Sequence, residues 1–126
     1  GNSTIEGTVI NSVIGAGVTV GKGAVVRDSI IMKNSIIGAG CSVDRSIIAE
    51  EVKVGENCIL GVGEAVPNRV NPKVYSFGLV TIGENTVIPP GVQIGMNTAI
   101  SGRTESSDYP GGVLASGETL IKAGDR

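Results

Sequence analysis

Aliphatic residues recur along this chain at a spacing that fits neither an α-helix nor an ordinary alternating strand. Intervals of six, six and five residues follow one another, so that three intervals together span 17 residues. A repeat of this length predicts a coil of three short strands joined by turns, with successive coils stacked through backbone hydrogen bonds. The recurring positions are Ile14, Val20, Val26, Ile31, Ile37, Val43, Ile48, Val54 and Leu60.

The fourth position of each six-residue unit is where the chain is expected to turn. Across ten units it is glycine or asparagine nine times, and these residues adopt positive φ angles at the lowest cost. The fifth position is small in nine of the ten units, as a side chain pointing into a tight corner must be. Opposite charges also lie 17 residues apart, with Arg27 over Asp44 and Asp28 over Arg45. The pattern predicts an all-β fold, a parallel β-helix with triangular coils of 17 to 18 residues.

The repeat is interrupted once and stops before the C-terminus. Residues 61–79 contain two prolines, which cannot donate ladder hydrogen bonds, yet Ile82 lies 34 residues after Ile48, or two repeats. The segment is one irregular coil or a loop that returns in register, and we favour the loop. The sequence starts within the pattern and without methionine, so we expect a piece of a larger enzyme. We expect a single β-helix domain over 1–126, with coils over about 5–60 and 80–100, a loop over about 61–79 and a capping tail over 101–126.

Composition narrows both the interior and the range of partners. Aromatic residues make up 2% of the chain, so the core must consist of Val and Ile, whose branched β-carbons favour strands. The net charge is −2 and the ten Lys and Arg residues are scattered, which gives no basis for nucleic acid binding. No apolar run approaches the roughly 18 residues of a membrane span, so no membrane partner is expected. Two cysteines without an export signal favour a cytoplasmic location.

The chain has no histidine, the usual general base near neutral pH and the usual zinc ligand of such folds. Cys41 and Cys58 lie 17 residues apart at the small corner position, and core packing explains them better than a redox pair or half a metal site. The glycine-rich turns match neither the Rossmann nor the P-loop fingerprint. We therefore predict no catalytic, cofactor-binding or metal-binding residue in this chain.

The repeats resemble those of hexapeptide-repeat proteins, and this resemblance implies a left-handed parallel β-helix. More specifically, the stretches NSVIGAGVTVGKGAVVRDSIIM, VDRSIIAEEVKVGENC and GLVTIGENTVIPPGVQIG resemble the C-terminal domain of glucose-1-phosphate adenylyltransferases. The resemblance implies a parent enzyme that converts ATP and glucose-1-phosphate to ADP-glucose and diphosphate, with Mg²⁺, in glycogen synthesis. Catalysis would reside in an N-terminal pyrophosphorylase domain. This chain would be an inactive oligomerisation and regulatory domain of a homo- or hetero-tetramer, with no cofactor of its own.

Several alternatives stay open. The chain could belong to another sugar-1-phosphate nucleotidyltransferase, to a non-catalytic paralogous subunit or to a pure scaffold, and a hexapeptide-repeat acyltransferase is less supported. Plant enzymes of the resembled family use lysines at positions where this chain has Glu50 and Glu84, which removes the positive charge that a phosphorylated effector needs. The remaining candidates for effector or interface contacts are Lys53, Arg69 and Lys73.

Overall fold

The computed structural model describes residues 2–122, which form 17 short strands and almost no helix. Residue 1 and residues 123–126 of the expected tail lie outside this range. Two 3-10 turns, Ser106–Asp108 and Pro110–Gly112, precede β16. The strands are β1 (Thr4–Ile5), β2 (Thr8–Ile10), β3 (Val13–Ile14), β4 (Thr19–Val20), β5 (Val25–Arg27), β6 (Ile30–Ile31), β7 (Ile36–Ile37), β8 (Ser42–Asp44), β9 (Ser46–Ile48), β10 (Lys53–Val54), β11 (Ile59–Val62), β12 (Val80–Ile82), β13 (Val87–Ile88), β14 (Gln93–Gly95), β15 (Thr98–Ser101), β16 (Val113–Leu114) and β17 (Thr119–Ile121).

Every third strand pairs in parallel, which gives three sheets around one narrow core. Sheet A has the order β1-β4-β7-β10-β13, sheet B has β2-β5-β8-β11-β14-β16, and sheet C has β3-β6-β9-β12-β15-β17. The sheets form a solenoid of about seven turns, so the predicted left-handed parallel β-helix is confirmed. The 17-residue register is confirmed as well, since Ile31 pairs with both Ile14 and Ile48.

The predicted corners are also confirmed. All ten fourth positions have positive φ, including Glu51 at 60° and Gly63 at 89°. Nine of the ten fifth positions are buried, and the exception is Glu64 in the loop. The inward side chains of the three sheets meet in one core, in which Ile31, Ile37, Val43 and Leu60 are fully buried.

A third row of corners, between sheets B and C, was not predicted. Asn11, Asp28 and Arg45 have φ angles of 47°, 49° and 48° although none of them is glycine. They lie in the shortened, five-residue interval, where the chain must turn with one residue fewer. The side-chain amide of Asn11 donates to Asp28 Oδ1 at 2.6 Å, so polar contacts between coils support this row.

Two segments differ from the expected boundaries. Strand β11 continues to Val62, so the loop between β11 and β12 comprises residues 63–79. It returns in register, because Ile82 of β12 pairs with Ile48 of β9. The tail does more than cap the last coil, since β16 and β17 add a strand each to sheets B and C.

The last coil has no strand in sheet A, and the two 3-10 turns cover that end of the core. Tyr109 is 2% exposed there, and its hydroxyl lies 2.8 Å from Thr104 Oγ1. Lys122 Nζ bonds to Asp108 Oδ2 at 2.7 Å, and this contact lowers the pKa of Asp108. Polar pairs and one aromatic ring thus close the C-terminal end.

Gly38 occupies a point where successive coils approach closely, and we expect Gly38→Ala to lower the free energy of unfolding by about 2 kcal/mol. A Cβ atom there would lie 2.7 Å from backbone atoms of Gly55 and Glu56, so the coils would have to separate. Gly23→Ala is the matched control, because its φ is 75° but nothing lies within 4 Å of the added carbon. We expect about 1 kcal/mol for this change in urea unfolding. Equal losses for the two variants would show that close stacking is not the cause.

Candidate functional site

The loop over residues 63–79 is held against the last coils by buried amides. Asn68 is 1% exposed, and its Nδ2 donates to the carbonyl oxygen of Asn97 at 2.9 Å. Its Oδ1 accepts hydrogen bonds from the backbone N–H groups of Val70 and Asn71, at 2.9 and 2.8 Å. One side chain therefore both shapes the loop and attaches it to the solenoid.

Asn97 provides the second anchor, at a corner between β14 and β15. Its Oδ1 accepts a hydrogen bond from the Gly78 N–H at 2.9 Å, and its Nδ2 donates to the carbonyl oxygen of Val66 at 2.9 Å. These partners lie near the two ends of the loop. Because buried amide hydrogen bonds are lost together or not at all, the loop has one defined conformation.

A recess opens between the first part of this loop and the outer side of sheet B. It is open to solvent and has a volume of about 500 Å³. Its lining is mainly apolar, with polar groups at Glu64, Arg69 and Gln93. The apolar lining residues are Val62, Val66, Val113, Leu114 and Ala115. We call this surface the recess.

The three basic residues singled out from the sequence do not form one site. Lys53 lies in β10 of sheet A, whereas Arg69 and Lys73 lie on the loop, which packs where sheets B and C meet. Arg69 Nε pairs with Glu118 Oε2 at 2.7 Å, and the Arg69 side chain is 77% exposed. With Glu64 also on the rim, the recess is not a cationic site for a phosphate group.

The two cysteines are buried in the core, at 1% and 0% exposure. Hydrogen bonding to Cys58, together with burial, raises the pKa of Cys41 well above its ordinary range. Cys41 donates to the carbonyl oxygen of Gly55 at 3.0 Å and Cys58 to that of Pro89 at 3.2 Å. Both thiols therefore act as core packing groups with their hydrogen bonds satisfied.

No group of three or more potential metal ligands occurs within residues 2–122. In the same part of the chain, no helix has the length and apolar character to cross a membrane.

The comparison with known proteins now gives this solenoid a family. A family model described as the GMPPB C-terminal domain matches residues 3–75. The chain belongs to this family. Within it, the chain is similar to the C-terminal part of several proteins named glucose-1-phosphate adenylyltransferase.

Three of these relatives define the extent of the match. The chain is 58% identical over 121 residues to the protein from Lachnospira eligens, covering 96% of this chain and 29% of the relative. For Acetivibrio thermocellus the identity is 40% over 121 residues, covering 96% and 28%. For Thermotoga maritima it is 49% over 117 residues, covering 93% and 28%. The chain thus spans less than a third of the length of these relatives.

Sequence reasoning about this family member missed both amide anchors and the recess. Asn97 was identified as a turn residue, but its side-chain partners lie 19 and 31 residues away. Asn68 was taken as one of several polar residues that break the repeat. Phe77, the single phenylalanine of the chain, gave no signal in the repeat because it lies outside it.

Proposed function

We propose that this chain is the C-terminal β-helix domain of a glucose-1-phosphate adenylyltransferase, which forms ADP-glucose and diphosphate from ATP and glucose-1-phosphate in glycogen synthesis. The observation that carries the proposal is the 58% identity over 96% of this chain to the Lachnospira eligens relative. Since this chain matches 29% of that relative, adenylyl transfer and the Mg²⁺ it requires are assigned to the N-terminal pyrophosphorylase domain. This domain would be inactive alone, and the enzyme would be cytoplasmic.

The domain's role in this proposal is assembly and regulation. Its core is closed, yet large apolar side chains remain on its outer surface, including Val13 at 64% exposure and Ile30 at 40%. Such residues are explained if the domain packs against its own N-terminal domain and against other subunits of a homo- or hetero-tetramer. The strands are short and paired on both sides within the solenoid, so they supply a rigid support for those contacts.

A phosphorylated effector is part of the proposal, with Lys53 and Lys73 as its contacts in this domain. Both side chains are exposed, whereas Arg69 is already paired with Glu118. Glu84 is exposed where plant enzymes use a lysine, so the effector chemistry is expected to differ from theirs. Substituting each lysine by alanine in the whole enzyme should raise the effector concentration needed for half-maximal response, and an unchanged response would exclude them.

The direct test uses the full-length protein. Purified enzyme is offered ATP, glucose-1-phosphate and Mg²⁺, and diphosphate release is followed, with GTP, UTP and mannose-1-phosphate as alternative substrates. We expect ADP-glucose formation at least about tenfold faster than any alternative product. Preference for another nucleotide or sugar would overturn the adenylyltransferase assignment and indicate another sugar-1-phosphate nucleotidyltransferase. Activity that appears only with a partner subunit would identify the chain as a non-catalytic paralogue.

A further inference from the structure

The second half of the loop presents an apolar projection in a strained backbone conformation. Phe77 has a φ of 64° and is 86% exposed. Val70 and Val74, on the same loop, are 72% and 61% exposed. A bulky side chain at positive φ costs on the order of 1 kcal/mol, and within one chain no burial offsets that cost. We call these three side chains the knob.

The knob is held in place by the solenoid. Gly78, which follows Phe77, is buried with a φ of 76°, and its N–H donates to Asn97 Oδ1. A Cβ atom on Gly78 would lie 3.4 Å from Arg45 Nη1, so the backbone passes close to the corner between sheets B and C. Preorganised apolar groups lose little conformational entropy on association, which is the property expected of an interface anchor.

The recess has the complementary shape and chemistry. Its wall includes Val66 of the same loop, 38% exposed, and its floor includes Val113 of β16, 43% exposed. Its volume of about 500 Å³ is within the range of sites that enclose compact apolar groups. The Arg69 guanidinium on its rim is paired with Glu118, so an apolar occupant leaves no charge unmatched there.

We propose that two copies of this protein associate about a two-fold axis, with the knob of each copy filling the recess of the other. Knob and recess belong to the same loop and its immediate support, so the surface is self-complementary, as a two-fold contact requires. The knob alone offers on the order of 400 Å², below the roughly 800 Å² that each partner contributes to a stable interface. In a two-fold contact each copy contributes its knob and its recess, which brings the area into that range.

This contact gives a location to one interface of the assembly proposed above, and it does not depend on which reaction the enzyme catalyses. A lipid surface or an unrelated apolar partner would bury the knob and leave the recess open. The two-fold contact is therefore distinguished by its need for both surfaces.

The experiment compares Phe77→Gly and Ala115→Trp with the wild type in the full-length protein, by sedimentation velocity over a dilution series. Glycine relieves the positive φ at residue 77, so the subunit should be at least as resistant to urea as the wild type. Its dissociation constant for one assembly step should nevertheless rise at least about 30-fold. Tryptophan at exposed position 115 fills the recess from within, and a similar rise is expected. Val13→Lys, which alters a 64% exposed residue of sheet C, should change the constant less than about threefold.

Each other outcome overturns the proposal. If Phe77→Gly assembles like the wild type, the knob is not an anchor. If it dissociates while Ala115→Trp does not, the knob contacts something other than the recess. An equal effect of Val13→Lys would reflect general surface apolarity, and growth without a defined end point would indicate a head-to-tail contact. Adenylyl transfer by the wild type is measured separately, so its absence would count against the proposed function and not against the contact.

Discussion

Replacing Ile48 by alanine is expected to lower the free energy of unfolding by about 4 kcal/mol. Ile48 is fully buried in β9, and its strand pairs on one side at Ile31 and on the other at Ile82. Coils stack above and below it with fixed backbone spacing, so neighbouring side chains cannot move in to fill the lost volume. The residual cavity adds to the lost transfer free energy, which places this substitution towards the upper end for its type.

Ile47→Ala is the matched control, since Ile47 precedes it on the same strand and points outward. Ile47 is half-buried, and its removal opens no cavity, so we expect a loss of about 1 kcal/mol. Both values come from urea unfolding with the midpoint and slope fitted separately, and the slope should not change. A larger loss at Ile47 than at Ile48 would mean that the inward and outward faces have been assigned the wrong way round.

Replacing Asn97 by alanine is expected to destabilise the protein by about 3 kcal/mol. The change leaves the Gly78 N–H and the Val66 carbonyl oxygen without the partners that the Asn97 side chain supplies. It also places alanine at a φ of 57°, which costs about 1 kcal/mol more than asparagine does there. Since these bonds hold both parts of the loop, hydrogen exchange at the Gly78 amide should accelerate in the variant.

Asn85→Ala separates the two causes. Asn85 has a φ of 60°, close to that of Asn97, but it is exposed at its corner. We expect this variant to lose about 1 kcal/mol from the backbone alone and to keep the Gly78 amide protected. If Asn97→Ala also keeps that amide protected, the loop does not depend on the Asn97 side chain.

The sequence determined the parts of the fold that each repeat specifies for itself. The interval of 17 residues sets which strands are neighbours, so the pairing of Ile31 with Ile14 and Ile48 could be predicted. Turn residues could be predicted too, because the cost of positive φ depends on the residue at that position. The family resemblance added the handedness, which spacing alone does not contain.

The tertiary structure decided everything that depends on contacts outside the repeat. Asn68 bonds to a carbonyl 29 residues away, and Tyr109 closes a coil whose last strand is missing from sheet A. Lys53 was grouped with Arg69 by closeness in sequence, but a triangular coil turns residues a few positions apart onto different faces. A repeating pattern reports which way each side chain points relative to its own strand. It does not report which distant segment packs there, and this is why the anchored loop, the knob and the recess could be found only in the folded chain.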